Sequence, residues 1–476
     1  MTQQSGPELV IGLVTPVGTN TGDLAIALSG ALSDYNYTAI TIRLSDQLPA
    51  DQLPPLGEGE DQRIRRLIEA GDAFCRNHSS PMQPEGDPAA LARLAVREIR
   101  RARLALFRQD GDTRPVEKLK EGRPRTAYIL HSLKRPAEIQ LLRQIYADQF
   151  VLIGSQGTLQ QRENNLMLRP MTLADRQKKR QAVHDLIKLD ADERSPAGQR
   201  VNDTYPQADF FLRDNDVRRT IELLFGEPIA PDIGEFAMYT ARASRARSLA
   251  GSRKVGAAIV VEDSVVATGF NDVPHGQVPD VIEGRDTSEQ LKRDNVLDTV
   301  YRLKEKGLLK QNAGVTHDEL TQSALEALKG GELLAIIEYQ RAVHAEARAI
   351  DDATIRGVSP VGGTLYVTTY PCHLCYKHAL SVKIANVQYI EPYPKSRAVS
   401  MYPDGNDEWL TPYAGVAPRR YIEIFDDRPP FVSDSSGRFH PIDRRVALPL
   451  VSRLRNDDDR DAEERLAVNG LKEEYQ

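Results

Sequence analysis

The sequence predicts an α/β protein of two sheets, a parallel one in the N-terminal half and a mixed one in the C-terminal half. Three observations carry this. Short apolar runs alternate with longer helical patterns from Leu9 to Ile153, the signature of parallel strands joined by crossover helices. Glycine and prolines in Phe225-Gly226-Glu227-Pro228-Ile229-Ala230-Pro231 interrupt that alternation and mark a boundary. Beyond it, two β-prone segments lie close enough to pair as a hairpin, and two more strands follow.

The 476 residues suffice for two or three domains, and 40% apolar with 27% charged residues is ordinary for a water-soluble protein. No window approaches about 18 continuous apolar residues, and the chain does not start with a basic stretch followed by an apolar one. No membrane span or export signal is therefore expected, and a cytoplasmic location is. Three cysteines, Cys75, Cys372 and Cys375, exclude a disulfide framework and suit a reducing compartment. A formal net charge of −6, with arginines and lysines interspersed among acids, argues for a small-molecule substrate over DNA or RNA.

Taken in order, LVIGLV at Leu9–Val14 reads as a buried strand. A glycine loop through Gly18, Thr19, Asn20, Thr21 and Gly22 leads into a helix with Leu24, Leu28 and Leu32 on one face. Strand, glycine loop and helix form the arrangement in which backbone N–H groups cradle phosphate. However, five residues separate Gly12 from Gly18 where a P-loop has four, and Thr19 stands where its lysine would be. An ordinary strand–helix turn and a phosphate-binding loop both remain open. A strand at Thr38–Leu44 follows, then helices at Asp61–Asn77 and Pro88–Phe107, a strand around Ala127–Leu130, a helix ending at Tyr146, and a strand at Phe150–Ile153. Leu168–Asp190 reads as one polar helix, whose Arg176, Lys178, Lys179 and Arg180 form a solvated face or, alternatively, a phosphate-facing lid. Past the boundary come a helix at Gly234–Leu249 and the strand pair Lys254–Val261 and Ser264–Asn271. Residues 272–343 form a mostly helical insertion, longer than a connection needs. Strands at Gly363–Thr369 and Val387–Ile390 complete the second sheet, and the last of these ends near Lys395 and Ser396, where α/β folds place ligand-binding groups. The acidic tail from Asn456 to Gln476 is expected to fray.

The chemistry concentrates in His344-Ala345-Glu346 and Pro371-Cys372-His373-Leu374-Cys375. Two thiolates and a neutral imidazole make a three-donor zinc site that leaves a fourth position for water. Two negative thiolates also balance the dication. Cys372 and Cys375 are three apart and share a helix face, with thiolates favoured at the helix start. His344 and Glu346 are two apart and converge only if a helix begins there. Glu346 is then the non-ligating carboxylate that moves protons. A redox C-x-x-C pair or a purely structural zinc site are the alternatives. Neither accounts for the proline, the upstream H-x-E and the intervening strand together. The combination H-x-E…P-C-x-x-C is that of zinc-dependent nucleobase deaminases.

Through KVGAAIV, TGFNDVP, HAE and YPCHLC, the C-terminal half resembles deoxycytidylate deaminases of the cytidine-deaminase-like fold. HSLKRPAEIQLLRQIYADQFVLIGS in the N-terminal half resembles the later part of P-loop nucleotide kinases. The pairing of the two, together with EYQRAVHAEARAI, EPYPKSRAVSMYPDG and PYAGVAPRRYIEIF, resembles bacterial anti-phage dCTP deaminases, also called antiviral cytosine deaminases. The resemblance implies a P-loop kinase-like parallel sheet over residues 1–225, not an active kinase, and a cytidine-deaminase-like α/β/α mixed sheet over 226–455, with 456–476 as a tail. It implies Zn2+ held by His344, Cys372 and Cys375, with Glu346 as proton shuttle. Free dCTP and dCMP would be the substrates, deaminated to deplete the deoxycytidine pool during phage infection. Asn271 matches the asparagine that contacts the nucleotide sugar, and Tyr370, Lys395 and Ser396 are further candidate substrate contacts. A homo-oligomer is expected, and the N-terminal half is either a site for a regulatory nucleotide or an interaction platform. A polynucleotide deaminase and a non-enzymatic nucleotide sensor with structural zinc are the rival classes.

Overall fold

The computed structural model describes residues 6–48, 59–79, 83–116, 119–173, 175–191, 198–213, 217–251, 253–309, 316–329, 331–334, 336, 339–393, 396–402, 409–427, 431, 433–451 and 454–472. The chain divides into two units, Met1–Phe236 with Thr411–Gln476, and Ala237–Leu410.

In the first unit, β1 (Leu9–Val14), β2 (Thr38–Arg43), β3 (Thr126–His131), β4 (Phe150–Ser155) and β5 (Phe210–Leu212) are parallel, in the order β5-β4-β1-β3-β2. Every residue of β1 and β4 is buried, as continuous apolar runs require when helices cover both faces of a sheet. The edge strand β2 buries only Ile42. Leu24, Leu28 and Leu32 of the Thr21–Ser33 helix are wholly buried and join Leu9, Ile11 and Leu13 in one core. The polar stretch read as one helix is two, Leu159–Leu168 and Arg176–Ala191. Pro170 lies between them and disfavours helical backbone at Arg169. Arg176, Lys178 and Arg180 face solvent.

The second unit holds β6 (Gly256–Val261), β7 (Ser264–Phe270), β8 (Thr364–Thr369) and β9 (Asn386–Glu391), in the sheet order β10-β9-β8-β6-β7 with β10 being Leu410–Pro412. β6 and β7 form the expected antiparallel hairpin, turned by Glu262 and Asp263 at φ of 47° and 60°. β8 runs antiparallel to β6 and parallel to β9, so the sheet is mixed. The helices Ala345–Ile355 and His373–Ser381 lay Ala349, Ala353, Tyr376 and Ala379 on Ile259, Leu365 and Val387. The insertion between β7 and the first of these helices carries helices at Thr287–Glu305 and His317–Ala327, and its two ends are clipped together where Asp272 and Val343 exchange both backbone hydrogen bonds, at 3.3 and 2.9 Å.

The chain after residue 410 departs from the expected boundaries at 225/226 and 455/456. Beyond β10 it returns to the first unit. β11 (Gly415–Val416) adds antiparallel to β5, and Val416 N–H donates to the buried Glu235 carboxylate at 2.9 Å. The tail expected to fray is a helix, Asp457–Asn469, capped by Asn456 with three aspartates in its first turn. Its anchor is a charge cluster that composition alone cannot show. The Arg103 guanidinium bonds Glu464 at 2.8 Å and Glu8, just ahead of β1, at 2.7 Å, while Arg100 bonds Asp461 at 2.8 Å. Glu464 is wholly buried. Removing one partner of such a pair leaves an uncompensated buried charge, at a cost of about 3–5 kcal/mol.

Burial raises the Glu464 carboxyl, but Arg103, Arg460 and Arg100 together outweigh it and hold it below its ordinary value of 4.5. The contribution is therefore present above pH 4.5 and lost as pH falls through the lower folded-state value. Glu464→Gln should lower the denaturation midpoint of the full chain at neutral pH. It should also flatten the acid limb of a stability–pH profile, both measured by chemical unfolding followed by circular dichroism.

Candidate metal centre and substrate cavity

Two helix starts meet in the second unit. His344 is the N-cap of the Ala345–Ile355 helix, with extended backbone at φ −69° and ψ 154°. Cys372 is the N-cap of the His373–Ser381 helix, its Sγ accepting from Cys375 N–H at 3.5 Å. Pro371 therefore precedes the cap instead of occupying the first turn. The His344 Nδ1 lies 3.2 Å from Cys372 Sγ and 3.4 Å from Cys375 Sγ. Its Nε2 donates to Gln340 Oε1 at 2.7 Å, since an amide oxygen only accepts. That bond sets the tautomer, leaving the Nδ1 lone pair facing the thiols.

The helix beginning at His344 reaches the sheet through a glycine. A Cβ at Gly269 of β7 would stand 2.0 Å from the Ala345 carbonyl oxygen, so no other residue allows this approach.

Glu346, in the first turn of the same helix, is 4% exposed. Burial, reinforced by Cys372 against the opposing His344, pushes its carboxyl up to about 7. A hydrogen bond from Cys375, with help from His344, draws Cys372 below the ordinary thiol value despite burial. Both shifts suit their residues to proton transfer and to cation binding respectively.

His344, Cys372 and Cys375 place their donor atoms within 4.8 Å of one another, the one such group of three among the described residues. Nitrogen and paired sulfurs are the donors zinc takes, and three protein donors are those of a catalytic site. The residues fit zinc.

A cavity of about 460 Å³ opens on these groups, within the range of small-molecule sites. Its walls include His344, Glu346, Cys372, Asn271, Tyr370 and Arg253. Asn271 is there as expected, but its side chain is engaged with protein. Oδ1 accepts from Val255 N–H at 2.6 Å, and Nδ2 donates to Arg253 O at 2.8 Å, leaving one amide hydrogen. Tyr370 stands edge-on to Tyr389 at 4.8 Å. Ser396 is not on the cavity wall. Its hydroxyl donates to the Pro371 carbonyl at 2.8 Å and so braces the loop carrying Cys372. Lys395 lies outside the described residues. Sequence reasoning missed Gln340, Arg253 and the insertion's share of the wall, which includes Asp280, Lys292 and Arg341. No motif marks them. Asp280, Lys292, Gln340 and Arg341 come from the insertion, whose ends the Asp272–Val343 clip joins, whereas Arg253 precedes β6.

In the first unit, Gly18, Thr19 and Asn20 lie between the C-terminal end of β1 and the Thr21–Ser33 helix, whose first residues are Thr21 and Gly22. Gly18 has φ of 91°, and a Cβ there would meet the Arg162 carbonyl oxygen at 2.7 Å. Asp190 occupies the mouth of this turn. Its carboxylate accepts from Val17 N–H at 2.7 Å and from Lys134 Nζ at 2.8 Å.

Fold and site together define a zinc-binding deaminase domain. Residues 233–391 match the family model for the cytidine and deoxycytidylate deaminase zinc-binding region. A dCMP deaminase from cyanophage S-TIM5 in apo form is similar at 18% identity, over 36% of this chain and 94% of its own, with a TM-score of 0.22. The same enzyme in complex with dCMP and dUMP gives 19%, 39%, 99% and 0.24. A Thermotoga maritima diaminohydroxyphosphoribosylaminopyrimidine deaminase/5-amino-6-(5-phosphoribosylamino)uracil reductase gives 16%, 41%, 39% and 0.21. No curated protein matches the chain. Among the described residues, no helix is long and apolar enough to cross a membrane.

Outer partners of a ligating histidine are worth typically about 10–100-fold in metal affinity. Gln340→Ala should therefore weaken zinc binding by that order in a competition titration with a chromogenic chelator. Gln340→Glu, which keeps an acceptor, should retain it.

Proposed function

We propose that this protein hydrolyses the exocyclic amine of free deoxycytidine nucleotides, dCTP and dCMP, to give the uracil forms and ammonia. The observation that carries the reading is Glu346, a buried carboxylate in the first turn of the helix that His344 caps. A purely structural zinc site has no use for it. A cavity of about 460 Å³ with Asn271, Tyr370 and Arg253 on its walls supports a nucleotide-sized substrate. The acidic overall balance supports a free nucleotide over a polynucleotide.

Zinc, when bound, supplies an acidified water as nucleophile. Glu346 would take one proton of the water that adds to C4 of the cytosine ring and would deliver it to N3. It would then take the second proton from the resulting C4 hydroxyl and pass it to the amine, which leaves as ammonia while the C4 carbonyl forms. Its raised proton affinity lets one group act as base and then as acid near neutral pH. The backbone N–H groups at the start of its own helix steady the carboxylate between transfers. Cys372, Cys375 and His344 hold the metal, Gln340 orients the imidazole, and Ser396 braces the loop of Cys372.

Depletion of the deoxycytidine pool during phage infection is the biological role we assign, on the sequence resemblance described above. We assign the first unit no phosphoryl transfer, because its glycine loop has Thr19 where the lysine would stand and Asp190 takes the Val17 N–H beside it. A cytoplasmic location and a homo-oligomeric state belong to the same reading.

A nucleotide panel assayed for ammonia and uracil products should show turnover of dCTP and dCMP. Turnover confined to single-stranded DNA would overturn the substrate assignment. Glu346→Gln should lower turnover by at least about 100-fold, the usual scale for a positioned acid–base group. Zinc should remain near one per chain in that variant, by metal analysis, whereas Cys372→Ala should lose it. Loss of zinc from Glu346→Gln would make Glu346 a ligand instead.

A further inference from the structure

A second cavity, of about 610 Å³, lies in the first unit. It opens beside Phe150 and Asp209, at the starts of β4 and β5, whereas the glycine loop lies past the end of β1. The two sites are therefore at opposite ends of the parallel sheet. Four guanidinium groups line the cavity, those of Arg143, Arg419, Arg420 and Arg455.

Three of the four reach a carboxylate. Arg420 holds Glu423 in a two-pronged pair at 2.7 and 2.8 Å, and Arg419 is ion-paired with Asp209. Backbone carbonyls also hold Arg143 and Arg455. Arg143 donates to the Gln207 carbonyl at 2.7 Å and, at 3.5 Å, to the Asp209 oxygen that also accepts from Leu152 N–H at 2.7 Å. Arg455 donates to the Gln144 carbonyl at 2.8 Å, with no carboxylate partner among the described residues. Each guanidinium carries five N–H donors, so one carbonyl orients the group and leaves most of its fork unused.

Asp148, Asp209 and Glu423 share this wall, so four guanidiniums face three carboxylates and leave one cation in excess, which an anion would balance. Burial, partly offset by Asp209 and reinforced by the neighbouring Arg420, holds Arg143 below its ordinary proton affinity. Ala147, on the same wall, has φ of 48° without being glycine, a conformation that costs energy and tends to persist at binding sites.

We infer that this cavity is a binding site for the phosphoryl group of a small molecule, clasped by the Arg143 and Arg455 forks. Paired guanidinium forks match the oxygens of a phosphoryl group in charge and in geometry. The volume exceeds what a bare anion fills and falls in the range of nucleotide-sized ligands. Phe150 and Leu454 supply apolar wall for the remainder. Arg419, Arg420 and Arg455 come from the segment after residue 410, and Arg143 from the segment before 236, so the ligand joins the two parts of the chain that form this unit.

The test is calorimetric titration of the full chain with inorganic phosphate and with adenosine 5′-monophosphate, at constant ionic strength in chloride. The two probes separate a free anion from a phosphate ester. Wild type should bind at least one of them. Arg143→Gln and Arg455→Gln should each weaken binding about tenfold or more, and the double variant should abolish it. Arg455→Lys should fall between, keeping charge but losing the fork. Should Arg143→Gln fail to fold by circular dichroism, the two Arg455 variants decide alone. Absence of binding by either probe overturns the proposal. So does binding that survives Arg455→Gln unchanged.

Discussion

One imidazole held between two thiols at the starts of two helices is the constraint on which the second unit depends. His344 and Cys372 are each an N-cap, so each donor sits where the chain turns from extended into helical backbone. Extended backbone at a cap aims a side chain back over the helix start, which a mid-helix residue cannot do. That is why residues two apart, His344 and Glu346, serve one pocket. It also places Glu346 where helix N–H groups steady an anion, while burial supplies the opposing push on its proton.

Bringing two helix starts together needs a flat surface that lets a backbone come close. The mixed sheet provides it. β8 runs parallel to β9 and delivers Pro371 and Cys372 at its end, and Gly269 of β7 leaves room for the carbonyl beside His344. The insertion has a similar part in the site. Its ends are joined at Asp272 and Val343, so some 70 residues can leave the chain and return Gln340 to the imidazole. An excursion clipped at its base adds wall to a cavity without disturbing the sheet that carries the metal.

The first unit is held by charge as much as by apolar packing. Arg103 spans Glu8 and Glu464, residues at opposite ends of the chain, inside a buried cluster. Burying ions is costly unless each finds a partner, and here three segments must be present at once for the pairing to close. This makes the return of the chain after residue 410 obligatory for the unit. At the other end of the sheet, Asp190 supplies the glycine loop with an internal carboxylate, bonded to Val17 N–H and Lys134. The Val17 N–H, which in a phosphate-binding loop would be available to a ligand, is satisfied within the protein.

The sequence by itself determined the local pieces. β1, β2 and the β6–β7 hairpin follow from apolar periodicity, and the three metal donors with Glu346 follow from residue types whose chemistry allows few other uses. These depend on spacing along a few residues, which the chain encodes directly. Tertiary structure alone decided what depends on distant partners. The tail became a helix because Arg100 and Arg103 wait for its acids, although its composition reads as solvated. Thr411–Gln476 joined the first unit because β5 presents an open edge. Asn271 and Ser396 proved to brace the site's framework, since their neighbours, Val255 N–H and the Pro371 carbonyl, need partners that only folding brings within reach. Pairings between residues hundreds of positions apart leave no periodic trace, because their energy arises only when burial removes the competing water.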